Sequence, residues 1–266
     1  MRKFPRGAVA NVERQQSHRD FVQAAKPEYV IMRITHARRL MDDGMTFDDY
    51  YPESVNVITT TTVPDNKLEL LAWEREEEEL KKFSEIDIVR EVQPDYHIPT
   101  DYSLYRGMTE EEQFNAVQQC VRGTRWMYEN TEDMDVTLIP LIKGLTKDQR
   151  QLFYELYDEV GVDYAAFYAT QYFTSDTDVQ YKELYGDLEQ IKAESDIDLF
   201  VMGAFSPQLL RRLPNNVVAA SGQRQWRESC NPRNNDANSI REEWNALAEE
   251  INDALSHNPN SDYKYV

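Results

Sequence analysis

Strand-like and helix-like stretches alternate along this chain, and the alternation constrains its fold more than any other feature. Short β-branched or apolar runs recur at intervals of about 20 to 40 residues, with amphipathic, charge-rich stretches between them. The strand candidates are residues 29–34, 55–62, 96–99, 136–142, 164–169, 199–203 and 217–220. Residues 68–92 read as a helix with Leu70, Leu71, Leu80 and Phe83 among many charges. Thr109 to Glu112 is a capping box opening a helix through Phe114, Val117, Val121 and Trp126. Thr146 caps another helix, which Gly161 closes. Helices are also expected over 179–193, from Ser206-Pro207, and over 240–255, where Trp244, Leu247, Ile251 and Leu255 share a face.

Repeated strand–helix–strand units predict a parallel α/β sheet. Seven candidate strands in 266 residues favour a (β/α)8 barrel of the TIM type, for which about 250 residues is usual. The eighth strand is either absent or lies around Val9 to Val12, so the barrel is incomplete or irregular there. A doubly wound sheet is the alternative. No G-x-G-x-x-G turn and no P-loop occur, so a nucleotide-cofactor domain is not supported and no cofactor is expected. The expected organisation is a basic segment over 1–28, one barrel domain over 29–256 and a tail over 257–266.

Composition bounds the setting. No window approaches the roughly 18 apolar residues of a membrane span, and the N-terminus lacks the apolar run of a signal peptide. Two cysteines give neither a disulfide framework nor a four-ligand zinc set, so no metal is expected. The formal charge is -19, yet residues 1–39 hold nine Lys/Arg against three Asp/Glu. Spread carboxylates favour a protein of a salt-rich cytoplasm, in a salt-adapted archaeal cell or a virus of such a host, over an acidic partner-binding protein.

In a barrel, function sits at the C-terminal ends of the strands. There the sequence places Asp101 with Tyr102 and Tyr105, a carboxylate among aromatic rings that suits a planar heterocycle. His97 points along the same strand, and Lys143-Gly144 ends the next. Tyr168 and Tyr172 are pocket candidates among otherwise core tyrosines. Arg211, Arg212, Arg224, Arg227 and Arg233 form a basic island against the single acid Glu228, suited to a nucleic-acid backbone. The bland alternatives are a capping Asp101, a packed His97, a surface Lys143 and arginines paired with carboxylates. Cys120 reads as a small buried apolar residue.

Five ordered pieces resemble the tRNA-guanine transglycosylase superfamily, closest in kind to paralogues that insert 7-deazaguanine into DNA. Pro94 to Asp101 resembles the strand ending in that family's base-recognising aspartate. Gly123 to Trp126 is similar to its arginine–tryptophan stretch, and Val136 to Gly144 to its strand ending in a glutamine–glycine turn. Gly161 to Tyr168 and Leu199 to Leu210 resemble its next two elements, so the series covers about residues 90–226. The resemblance implies exchange of guanine for a 7-deazaguanine in DNA or tRNA, by a carboxylate nucleophile, on a base turned out of its stack. It implies that Asp101 reads the base, with Tyr102, Tyr105, His97, Lys143, Gly144, Tyr168 and Ser221 lining the pocket and Arg211, Arg212, Arg224 and Arg227 on the backbone. The sequence departs from the family at several points. Ala219, Ala220 and Ser221 stand where the nucleophilic acid is expected, leaving Asp65 as the substitute catalytic candidate. Lys143 replaces the glutamine, Ala169-Thr170 a glycine pair, and the zinc-binding cysteines are missing. A catalytically silent relative, acting as a nucleic-acid-binding protein or partner subunit, is therefore the second expectation. An unrelated barrel or structural protein is the third. A homodimer or a partner subunit is left open.

Overall fold

A computed structural model of the chain describes residues 2–62, 84–173 and 177–256. The protein is α/β; among the described residues, eight strands alternate with helices in the manner of an incomplete (β/α)8 barrel. The strands are β1 (Gly7–Val12), β2 (Tyr29–Arg33), β3 (Asn56–Thr60), β4 (Tyr96–Ile98), β5 (Thr137–Leu138), β6 (Tyr164–Tyr168), β7 (Asp198–Met202) and β8 (Val217–Gly222). The helices are α1 (Gln16–Ala25), α2 (Ile34–Asp42), α3 (Phe47–Tyr50), α4 (Glu85–Val92), α5 (Glu110–Asn130), α6 (Lys147–Val160), α7 (Thr177–Glu194), α8 (Pro207–Leu210), α9 (Arg224–Cys230) and α10 (Ala237–Ser256). A 3-10 turn covers Thr170–Phe173.

The chain divides into two compact units, Met1–Lys3 with Val30–Asp163 and Phe4–Tyr29 with Tyr164–Val266. In the first, the strand order is β5-β4-β3-β2. Tyr96 pairs with Ile58 on one side and Thr137 on the other, both parallel. In the second, the order is β1-β8-β7-β6. Its parallel β1–β8 ladder sets Gly7 to Ala10 against Ala219 to Gly222. Pairing of the first strand with the last is the connectivity of a (β/α)8 chain. Neither unit contains the order reversal that marks a doubly wound sheet.

The strands are nearly continuous apolar runs, as parallel strands covered on both faces must be. Val9, Ala10, Val30, Met32, Ile58, Ala165, Phe200, Val201 and Ala220 are all buried. The eighth strand is thus the Gly7–Val12 run, and it belongs to the second unit with α1. The expected 136–142 strand is shorter, because Pro140 carries no amide hydrogen for a ladder. Of the helix expected over 68–92, residues 68–83 lie outside the described residues, as does the 257–266 tail; the described helix starts at Glu85.

Capping boxes formed where the sequence asked for them. Thr109 Oγ1 accepts from the Glu112 amide, and the Glu112 carboxylate accepts from the Thr109 amide. Thr146 and Gln149 do the same for α6, and Gly161 closes it at φ 71°. On α10, Ile240, Trp244, Leu247 and Ile251 face the core, while Leu255 is half-buried. Among the described residues, no helix is long and apolar enough to cross a membrane.

Candidate base-recognition site

The first unit concentrates polar groups where β3, β4 and β5 end. The parallel register sets Thr59 beside His97, and Thr59 Oγ1 lies 2.8 Å from His97 Nδ1. On the far side of the ring, Nε2 lies 2.8 Å from Glu85 Oε1 at the start of α4. Thr59, His97 and Glu85 are all buried. The Thr59 hydroxyl and the Glu85 carboxylate thus hold the two ring nitrogens of His97 from opposite sides. His97 is therefore a buried connector and does not face the site surface. The sequence left a packed histidine open as an alternative, and the sheet register selects it.

Glu85 also grips the chain just beyond β4. The Thr100 amide donates to Glu85 Oε1 at 3.0 Å, and the Thr100 hydroxyl reaches Oε2 at 3.5 Å. Thr100 has φ 51°, in the left-handed region. The other described non-glycine residues with positive φ, Lys26, Gln93 and Asn231, each terminate a helix. Thr100 follows a strand instead and is β-branched, a conformation costing about 1–3 kcal/mol that persists only where the surroundings enforce it. Thr61 holds the next residue, its hydroxyl accepting from the Asp101 amide at 3.0 Å and donating to the Ile98 carbonyl.

The turn delivers Asp101 to Lys143. The Lys143 ammonium donates to Asp101 Oδ1 and to the Tyr102 carbonyl. The two side chains are 13% and 7% exposed, so this is a recessed pair and not a surface one. Burial alone would lower the pKa of Lys143, but the Asp101 carboxylate beside it outweighs burial and raises the value. Helix α5 braces the same loop, with Cys120 Sγ accepting from the Tyr102 amide at 3.3 Å. Burial pushes the Cys120 thiol up to about 11, so it stays neutral and packs as the small buried residue its place on a helix suggested.

Gly144 follows Lys143 at φ 130°. A Cβ there would stand 2.9 Å from the Arg150 backbone nitrogen, so the turn accepts only glycine. Arg150 and Gln149, both buried, bond the Gly144 carbonyl and the Leu145 amide. Gln149 also joins Gln113 of α5, whose amide bonds the carbonyls of Tyr105 and Met108. The loops after β4 and β5 are thereby tied to one another.

Two valences of the pair are left over among the described residues. An ammonium has three donors, and Lys143 uses two; Asp101 uses Oδ1 and leaves Oδ2. Tyr105 is 49% exposed, and Phe114 of α5 is 39% exposed. Asp101 and Tyr102 meet Lys143, with Tyr105 on the same loop and Gly144 next to Lys143. Asp65 lies outside the described residues. Glu85 was not foreseen; its one local signal was Ser84-x-x-Asp87, a capping box that fixes where α4 begins.

The remaining candidates lie in the second unit. Tyr168 is half-buried at the end of β6. Ser221 is fully buried in β8, and its hydroxyl has no partner among the described residues. No acid stands at Ala219, Ala220 or Ser221. Arg211, Arg212, Arg224, Arg227 and Arg233 are exposed. Arg224 pairs with Glu228, Arg227 bonds Gln223, and Arg212 lies 5.9 Å from the Tyr181 ring centroid. No group of three or more His, Cys, Asp or Glu among the described residues could hold a metal ion. No protein-family model matches the chain, and no curated protein matches it in sequence.

Proposed function

We propose that this chain recognises a guanine-type base in DNA or tRNA and exchanges guanine for a 7-deazaguanine, with Asp101 reading the base. The observation that supports this reading is the pair itself: among the described residues, Asp101 Oδ2 and one Lys143 donor have no hydrogen-bond partner. The lactam edge of guanine and of 7-deazaguanine offers the complement, an N–H beside a carbonyl oxygen. The half-exposed Tyr105 ring offers a face on which such a base can stack. Exposed arginines in a chain of net charge -19 suit contacts to a phosphate backbone.

Asp101, clamped to a cation, acts as acceptor and not as nucleophile. Covalent exchange needs another carboxylate, for which Asp65 is the candidate. The absence of an acid at residues 219–221 favours a second reading, a base-binding protein without exchange activity. Titration calorimetry with guanine and a 7-deazaguanine tests the base site. Wild type binds, and Asp101→Asn, which sets an amide donor against the base, weakens binding at least about tenfold; equal affinity overturns the assignment. A mass shift in nucleic acid incubated with the purified chain establishes exchange, and its absence despite base binding leaves the second reading.

The arginines give a separate prediction. Arg211→Glu or Arg227→Glu should weaken DNA or RNA binding at all sequences alike. Each substitution should also flatten the dependence of log affinity on log salt by about one unit. Fluorescence anisotropy over a salt series measures both.

A further inference from the structure

We infer that Glu85 is a positioning residue for the Asp101–Lys143 pair, its carboxylate holding Thr100 in the left-handed conformation that turns Asp101 toward Lys143. The inference rests on reading that pair as the base-recognition site. Thr100 has φ 51°, is buried, and does not end a helix. A β-branched residue leaves this conformation unless something holds it. What holds it is Glu85, which takes the Thr100 amide at 3.0 Å and its hydroxyl at 3.5 Å. Glu85 is itself fixed by His97 at 2.8 Å, and His97 by Thr59, its neighbour in the sheet register. Three buried side chains thus lead from the sheet to one peptide group. The residue after that peptide is Asp101, whose amide is secured separately by Thr61.

Release of Thr100 lets the turn relax to negative φ and carries the Asp101 carboxylate away from Lys143. The ammonium is then uncovered. The rate at which a lysine-acylating reagent labels Lys143, followed by peptide mass spectrometry in the folded full chain, reads this without any ligand. Glu85→Ala is expected to label about tenfold faster than wild type, a ratio matching a backbone cost of this class. Glu85→Gln, which keeps a carbonyl for the Thr100 amide, labels at close to the wild-type rate. Thr100→Gly makes the left-handed turn free of strain, so Glu85→Ala/Thr100→Gly returns to near the wild-type rate. Glu85→Asp, with its carboxylate withdrawn by one methylene, serves if Glu85→Ala does not fold, and shows the same acceleration and the same rescue. Wild-type labelling in a folded Glu85→Ala or Glu85→Asp, or no rescue by Thr100→Gly, overturns the inference. Guanine affinity of wild type, measured in parallel, judges the base-site reading separately, because the labelling does not depend on it.

Discussion

Asp101→Ala is expected to lower the unfolding free energy by about 3–5 kcal/mol, the usual consequence of stripping one partner from a buried pair. The reason is what remains. Lys143 is 13% exposed and would keep one hydrogen bond, to the Tyr102 carbonyl, without a described anion to balance it. Lys143→Met should cost a comparable amount, since it strands the Asp101 carboxylate. Asp101→Leu/Lys143→Met should lie closer to wild type than either single variant, because replacing both charges removes the desolvation penalty together with the attraction. Urea denaturation of the four proteins measures these differences. Single variants costing under about 1 kcal/mol would place the pair among solvated surface pairs and remove its claim to be a built site. The comparison also separates stability from recognition, since the double variant should be stable yet unable to bind a base.

Alkaline pH should destabilise the protein in a window set largely by Cys120. Its thiol is raised from 9.0 to about 11, first by burial, against the opposing pull of Lys143. A raised pKa favours the protonated form in the folded state. The associated stability is therefore complete below pH 9.0 and is lost as pH climbs toward about 11, amounting to about 3 kcal/mol. Tyr157 acts in the same direction at higher pH. Its phenol is buried, donates to the Leu141 carbonyl, and is raised well above 10.0. Lys143, also raised, contributes stability that is present below 10.5 and fades above it. Unfolding free energy plotted against pH should thus turn downward near pH 9. In Cys120→Ala the slope between pH 9 and 11 should be shallower by up to about 1.4 kcal/mol per pH unit, the effect of one proton. An unchanged slope would mean that the thiol ionises freely in the folded protein.

Much of the architecture was legible because the signals are local. A β-branched run, a Thr-x-x-Glu box or a glycine after a helix each act within one turn of chain. The boxes at Thr109 and Thr146 and the stop at Gly161 lie where the sequence put them. The first strand was harder. Gly-Ala-Val-Ala-Asn-Val carries little bulk, and its pairing with β8 crosses some 210 residues of chain. Asp101 and Lys143 were each legible as residues at strand ends, but their union spans 42 positions. Glu85 was invisible. It follows an acid-rich stretch that reads as a solvated helix face, and glutamate is rarely fully buried unless paired. Only the packing of α4 against the end of β4 shows it to be 2% exposed and bonded to His97 and Thr100.

The sequence by itself therefore determined the alternation of strands and helices, the parallel α/β class and the strand end carrying Asp101. Hydrophobic period and caps are properties of a few adjacent residues. Tertiary structure decided that Asp101 is clamped by Lys143, that His97 is a buried connector and that Glu85 bonds both His97 and Thr100. The partner of a buried charge is set by which distant segment covers it, and no local pattern records that.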